Sequence, residues 1–153
     1  KRGAFSFDDA ILLFKQAANQ KARELGMVNS QFENSTGLDD IGHYTTAQDL
    51  FHLVSHTWEY YHEIWNFSRA SEAEIRSLSG TPYHAAATNL LLAEFPALMG
   101  GKTGLTDGAK GTLILLYPVK PNRAAVMIIL GSDNRFVDGR MLIRWLEEVF
   151  NNS

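Results

Sequence analysis

The run Gly100-Gly-Lys-Thr-Gly104 places a cation, a hydroxyl and three glycines within five residues. A lysine beside a threonine can hold a carboxylate, and a glycine beside them lets another chain lie close against the backbone. The same letters could also form a phosphate loop or simply a turn. The phosphate-loop pattern G-x-x-x-x-G-K-[ST] fails, because Pro96 stands where its first glycine belongs and the chain continues into strands rather than a helix. Ser132-Asp-Asn134 carries a second polar triplet, read as a turn before the last helix. His52 and His56 stand four apart, followed by Glu59 and Glu63, a spacing that can seat a metal. His62-Glu63-Ile-Trp-Asn66 is not an H-E-x-x-H, so we expect solvated or capping histidines, with no metal and no cofactor. His43 and His84 are expected to be loop hydrogen-bonders. The aromatics Trp58, Tyr60, Tyr61, Trp65 and Phe67 are expected in the core rather than on a sugar-binding platform.

The elements that must carry these groups follow from periodicity. Ser6 precedes Asp8, Asp9 and an apolar face of Phe7, Ile11, Phe14, Ala18, Ala22 and Leu25, a helix stopped by Gly26. Residues 27–44 lack periodicity and read as a long, ordered loop. Thr45-Thr-Ala-Gln48 fits a capping box for a helix facing inward through Ala47, Leu50, Val54 and Trp58. Between Glu59 and Leu98 the signals are mixed, with a turn at Gly80-Thr-Pro82. From Met99 the pattern is sheet: a strand through 102–104, a turn at 108–111, strands 112–117 and 123–130, and a covering helix 134–150 using Phe136, Val137, Met141, Leu142, Trp145 and Val149.

Composition narrows the class. The 153 residues are 45% hydrophobic and 20% charged, enough for one real core. Fourteen Lys+Arg against 17 Asp+Glu give a net charge of −3, with no bulk attraction for nucleic acid. With no cysteine, thiolate catalysis and Cys-based zinc sites are excluded. The longest apolar runs, 113–117 and 124–130, are too short to cross a bilayer. The chain opens on Lys1-Arg2-Gly3 rather than Met, so it reads as a trimmed product, and any targeting segment would lie outside it.

The flanks of Gly100-Gly-Lys-Thr-Gly104 carry a resemblance. Lys21-Ala-Arg-Glu-Leu-Gly-Met27, Phe32, Asn34, Ser35-Thr-Gly-Leu38, His43-Tyr-Thr-Thr-Ala47 and Asp49-Leu50 come first. Thr88-Asn89, Leu91-Leu92, Phe95-Pro96 and Thr106-Asp107 surround the lysine run, and Arg135-Phe136, Asp138, Leu142 and Trp145 close the chain. In this order they resemble the serine-type D-alanyl-D-alanine carboxypeptidases, the low-molecular-mass penicillin-binding proteins. The resemblance implies an enzyme that removes the terminal D-alanine of peptidoglycan stem peptides through an acyl-enzyme, the chemistry that β-lactams trap. It implies that Lys102 and Thr103 bind the substrate's terminal carboxylate, that Gly104 lets the peptide lie close, and that the Leu105 backbone N–H is one oxyanion donor. The family's nucleophile motif Ser-x-x-Lys is absent, since no serine here has a lysine three residues later, and so is its Ser-x-Asn motif, which precedes the region matched. Lys110 stands where a small residue is expected.

The expected fold is therefore a partial β-lactamase/transpeptidase-like α/β (α+β) domain, lacking its N-terminal strands and nucleophile helix. Residues 1–87 form its mainly helical part and 88–153 its sheet part. Its expected partners are peptidoglycan peptides and β-lactams, and its location the periplasm or extracytoplasmic envelope. The missing strands would leave an apolar sheet edge suited to an N-terminal fragment or a second copy. By itself the chain is expected to hydrolyse nothing; the alternative is a non-catalytic module binding peptidoglycan or protein.

Overall fold

The computed structural model describes residues 6–151, so the opening Lys1-Arg2-Gly3 lies outside the described residues. Helix α1 (Phe7–Glu24) begins in a reciprocal capping box: Asp9 N–H donates to Ser6 Oγ and Ser6 N–H to the Asp9 carboxylate. It ends where Gly26 takes a φ of +78°. The apolar face expected for α1 is buried only toward its C-terminal half. Ala22 is in the core, but Phe7 is 79% exposed and Phe14 is also exposed. Its anchorage is polar instead, because buried Asn19 exchanges two hydrogen bonds of 2.8 Å with the backbone of Phe32.

The segment from 27 to 46 is tied to helix α2 (Ala47–Tyr60) by a buried carboxylate. Asp49, 2% exposed, accepts from Asn29 N–H and Ser30 Oγ, both at 2.7 Å. The N-cap of α2 is Thr46, not Thr45, and its hydroxyl accepts from Asp49 N–H. That one-residue shift turns Asp49 inward, while Ala47, expected on the apolar face, is exposed. Helix α3 (Glu63–Ser68) follows, then a hairpin of β1 (Glu72–Arg76) and β2 (Pro82–Ala86). Both hairpin strands are exposed along their whole length. The short helix α4 (Leu91–Glu94) brings Leu91 and Leu92 into the core.

The sheet is an antiparallel meander of β3 (Gly100–Thr106), β4 (Lys110–Lys120) and β5 (Arg123–Ser132), in that order. Its strands run longer than their apolar runs. Helix α5 (Arg135–Asn151) covers one face, where Ile143 packs with Leu91, Leu113, Leu115, Met127 and Ile129. The other face meets α2 and α3 through Val54, Trp65 and Leu116, with Trp58, Ile114 and Val126 beside them. The two faces explain why β4 and β5 lack polar alternation.

The side of α5 that meets the sheet differs from the expected one. Ile143 and Leu146 are buried with Phe136 and Leu142 half-buried, whereas Val137, Met141, Trp145 and Val149 are exposed, Trp145 at 58%. Gly139 decides between the two stripes. A Cβ there would stand 2.8 Å from Leu91 Cδ1 and 2.9 Å from Leu113 Cδ2, so the helix settles with its bare backbone against those leucines. Of the aromatics expected inside, Trp65 is buried and Trp58 half-buried, while Tyr60, Tyr61 and Phe67 are exposed. Strand β5 pairs with β4 along one edge, and its other edge has no strand partner among the described residues.

Replacing Asp49 leaves a buried N–H and hydroxyl without their acceptor. Asp49→Ala is expected to lower stability by about 2–4 kcal/mol in urea unfolding, against about 1 kcal/mol for Thr46→Ala, which removes only a cap. Equal effects would contradict the reading of Asp49 as the tie.

Candidate functional site

Among the described residues, strand β3 is paired along one edge only. Its register with β4 runs from Gly100 opposite Leu116 to Thr106 opposite Lys110. Gly101 N–H donates to Ser68 Oγ at 3.1 Å instead of to β4. Backbone groups alternate between the two edges of a strand, so Thr103 and Leu105 present their N–H and C=O to the same open edge as Gly101. The Lys102 ammonium reaches round to donate to Thr103 C=O, in keeping with that alternation.

Helix α3 can sit against the start of β3 because of Gly100, whose φ is +150°. A Cβ at this residue would lie 2.6 Å from Ser68 Oγ and 2.9 Å from Trp65 C=O. Ser68 in turn donates to Trp65 C=O, so one hydroxyl closes α3 and fixes Gly101. Between the open edge of β3 and the β1–β2 hairpin lies a cleft of about 350 Å³. Phe67, Ser68, Glu72, Ala85, Ala86, Thr88, Asn89, Lys102 and Thr103 line it. Thr103 Oγ1 lies 2.5 Å from Thr88 Oγ1. Asn89 is buried; its Oδ1 accepts from Leu91 N–H at 3.2 Å, and its Nδ2 finds no partner among the described residues.

The far end of β3 is held by Asp39, from the long loop. Thr106 Oγ1 donates to Asp39 Oδ1 at 2.6 Å and Gly108 N–H to Oδ2 at 2.9 Å. The Thr106 hydroxyl and the Gly108 N–H together hold the Asp39 carboxyl below the ordinary range. Gly108 admits this approach, since a Cβ would stand 3.0 Å from the carboxylate. The following turn places Lys110 at φ +56°, and its ammonium pairs with Asp133 Oδ1 at 2.8 Å.

Of the sequence candidates, Lys102 and Thr103 line the cleft, while Gly104 backs onto Thr112 of β4 and the Leu105 side chain is exposed. Ser132-Asp-Asn134 starts α5: Ser132 Oγ donates to Asp138 and accepts from Asn134 N–H at 3.0 Å. His84 lies on exposed β2 rather than in a loop, 3.8 Å from Glu74, and His43 Nδ1 is buried without a partner. His56 lies against Tyr60 and Tyr61. No group of three His, Asp or Glu among the described residues is placed to hold a metal. Sequence reasoning named Asn89 only within the resemblance, and missed Ser68 and Asp39 as parts of this site. Asp39 acts across 67 positions of chain, a distance at which no local pattern exists.

Comparison with known proteins gives the family and the fold. A family model described as D-alanyl-D-alanine carboxypeptidase matches residues 13–135. The D-alanyl-D-alanine carboxypeptidase DacF of Bacillus subtilis is 30% identical over 138 residues, covering 90% of this chain and 35% of that protein. A D-alanyl-D-alanine endopeptidase of Escherichia coli is also 30% identical, over 88% of this chain and 44% of its own length. Penicillin-binding protein D2 of Listeria monocytogenes, solved with cefotaxime bound, superposes with a TM-score of 0.73 at 28% identity, over 86% of this chain and 53% of that one. The Streptomyces K15 DD-transpeptidase shares the fold at a TM-score of 0.80 and 20% identity, over 95% of this chain and 58% of its own. The chain thus spans between about a third and somewhat over half of these relatives.

The depressed Asp39 carboxyl gives the β3–β4 turn a pH dependence whose sign is fixed. The tie is fully present above the carboxyl's unfolded pKa and is lost as pH falls through the lower, folded one. The Gly108 amide resonance is expected to titrate in acid below the ordinary aspartate range. Comparing urea unfolding between about pH 6 and pH 2, Asp39→Asn should lack the part of the acid-side slope that Asp39 supplies. A Gly108 amide indifferent to pH would rule the tie out.

Proposed function

The chain belongs to the D-alanyl-D-alanine carboxypeptidase family, and we propose that it is the substrate-carboxylate side of a serine enzyme acting on peptidoglycan stem peptides. The observation that carries this reading is the open edge of β3 beside Lys102 and Thr103. A peptide lying along that edge finds backbone donors and acceptors in register, as in other strand-addition complexes. Its terminal carboxylate meets the Lys102 ammonium and the Thr103 hydroxyl, a charge-assisted pairing. Gly104 keeps the strand bare at that point, and the Leu105 N–H faces the same edge, where it stabilises the oxyanion formed when a serine attacks the penultimate carbonyl. D-Alanine then leaves with a proton on its amine, and water releases the acyl group.

The serine and its lysine belong to sequence outside this chain, which contains no Ser-x-x-Lys. The unpaired edge of β5 and the exposed Met141 and Trp145 of α5 give that remaining part, or a second copy, a surface to join. A substrate drawn from peptidoglycan places the enzyme on the extracytoplasmic side, in the periplasm where there is one. No helix among the described residues is long and apolar enough to cross a membrane. The missing nucleophile also favours a second reading: a non-catalytic module that keeps the groove to bind peptidoglycan peptides or protein.

Fluorescent penicillin separates the two. By intact mass, this chain is expected to stay unlabelled, while a chain extended upstream through a Ser-x-x-Lys is acylated at one serine. In the extended chain Lys102→Ala should slow acylation by about 10²-fold, the scale of losing one preorganised electrostatic contact. An extended chain that carries the motif and resists labelling would leave the binding module.

A further inference from the structure

Thr103 has one proton, and the direction in which it points decides whether the hydroxyl can serve an anion. Its Oγ1 sits 2.5 Å from Thr88 Oγ1, at the short end of hydroxyl hydrogen bonds. Thr88 is itself exposed, but the backbone on either side of it is held. Ala87 N–H before it donates to Ser71 C=O at 2.8 Å, and Asn89 after it is only 6% exposed. Both threonines line the cleft with Lys102.

We propose that Thr88 is a positioning residue for carboxylate recognition: it donates to Thr103 Oγ1 and thereby turns the Thr103 proton into the cleft. A carboxylate arriving beside Lys102 accepts that proton's hydrogen bond, and the chain from Thr88 through Thr103 to the anion is polarised in one direction, each bond strengthening the next. Without Thr88 the Thr103 hydroxyl must spend part of its time turned elsewhere. The inference rests on the carboxylate-binding reading above and adds to it a residue that never touches the ligand.

The test follows the amide resonances of Thr103 and Gly104 in this chain during titration with an N-acylated D-alanyl-D-alanine. The same peptide blocked as its C-terminal amide is the comparison. Thr88→Val, which keeps the shape and removes the hydroxyl, is expected to weaken binding of the acid about tenfold while leaving the blocked peptide unchanged. Thr88→Ser restores acid binding to within about twofold. The inference is overturned if Thr88→Val binds the acid as the unaltered chain does, if acid and amide weaken together, or if Thr88→Ser fails to restore. Failure of the underlying reading looks different: the unaltered chain would not prefer the acid, or Lys102→Ala would bind it as well, and the inference would fall with it.

Discussion

A strand that must receive a second chain along one edge can be fastened only from its other edge, its ends and its faces. Under the function proposed above, that constraint organises this molecule around β3. Strand β4 supplies the paired edge, and its far face is fixed by the packing of Leu113 and Leu115 under α5. Among the described residues, the other ties to β3 occupy only part of its open edge. Ser68 takes the Gly101 N–H at the start of the strand, Thr88 meets the Thr103 hydroxyl in its middle, and Asp39 closes the turn beyond Thr106. Three short polar side chains from three separate segments thus do what a neighbouring strand would do in a closed sheet.

The polar ties form a connected series. Asp49 gathers Asn29 and Ser30 onto the start of α2. The same loop then meets Gln31 and Tyr44 in an isolated bridge and carries Asp39 to the β3–β4 turn. A long aperiodic segment is ordinarily an entropic burden. Here it is held near its start by the Asp49 carboxylate and fastened near its middle through its own Asp39, each accepting from a backbone N–H and a hydroxyl. The loop therefore behaves as a strap on the functional strand, and its Asn, Ser, Thr and Asp content is what a strap needs.

What the sequence made legible follows from the range of each signal. The helix starts, the Gly26 stop and the β3–β4–β5 meander rest on spacings within a dozen residues, and these were readable. The hairpin was not, because Glu72–Arg76 and Pro82–Ala86 are exposed on both sides and so carry no apolar alternation. The wrong stripe of α5 has a different cause. Met141 and Trp145 are as apolar as Ile143 and Leu146, and only the space at Gly139, a property of three leucines elsewhere, selects between them. Lys102, Thr103 and Asn89 were found as letters within a resemblance, whereas Ser68 and Asp39 depend on folding and had no local signature.

The exposed apolar surface has the same origin as the missing chemistry. Phe7 and Phe14 on α1 and Met141 and Trp145 on α5 are among the places where sequence-level burial and observed burial disagree, and the free edge of β5 is one that the sequence led us to expect. A periodic apolar face on a helix is selected by something that covers it. Under the function proposed above, the chain's relatives supply that cover from the part of their length to which it does not correspond, and the nucleophile belongs to the same part. The carboxylate-binding half of such a site would then be assembled and fastened within these 153 residues, with its strand edge already open, before the reacting serine is brought to it. In that reading binding and bond-making are separable, because the open strand is fastened by Ser68, Thr88 and Asp39, all of which the chain carries itself.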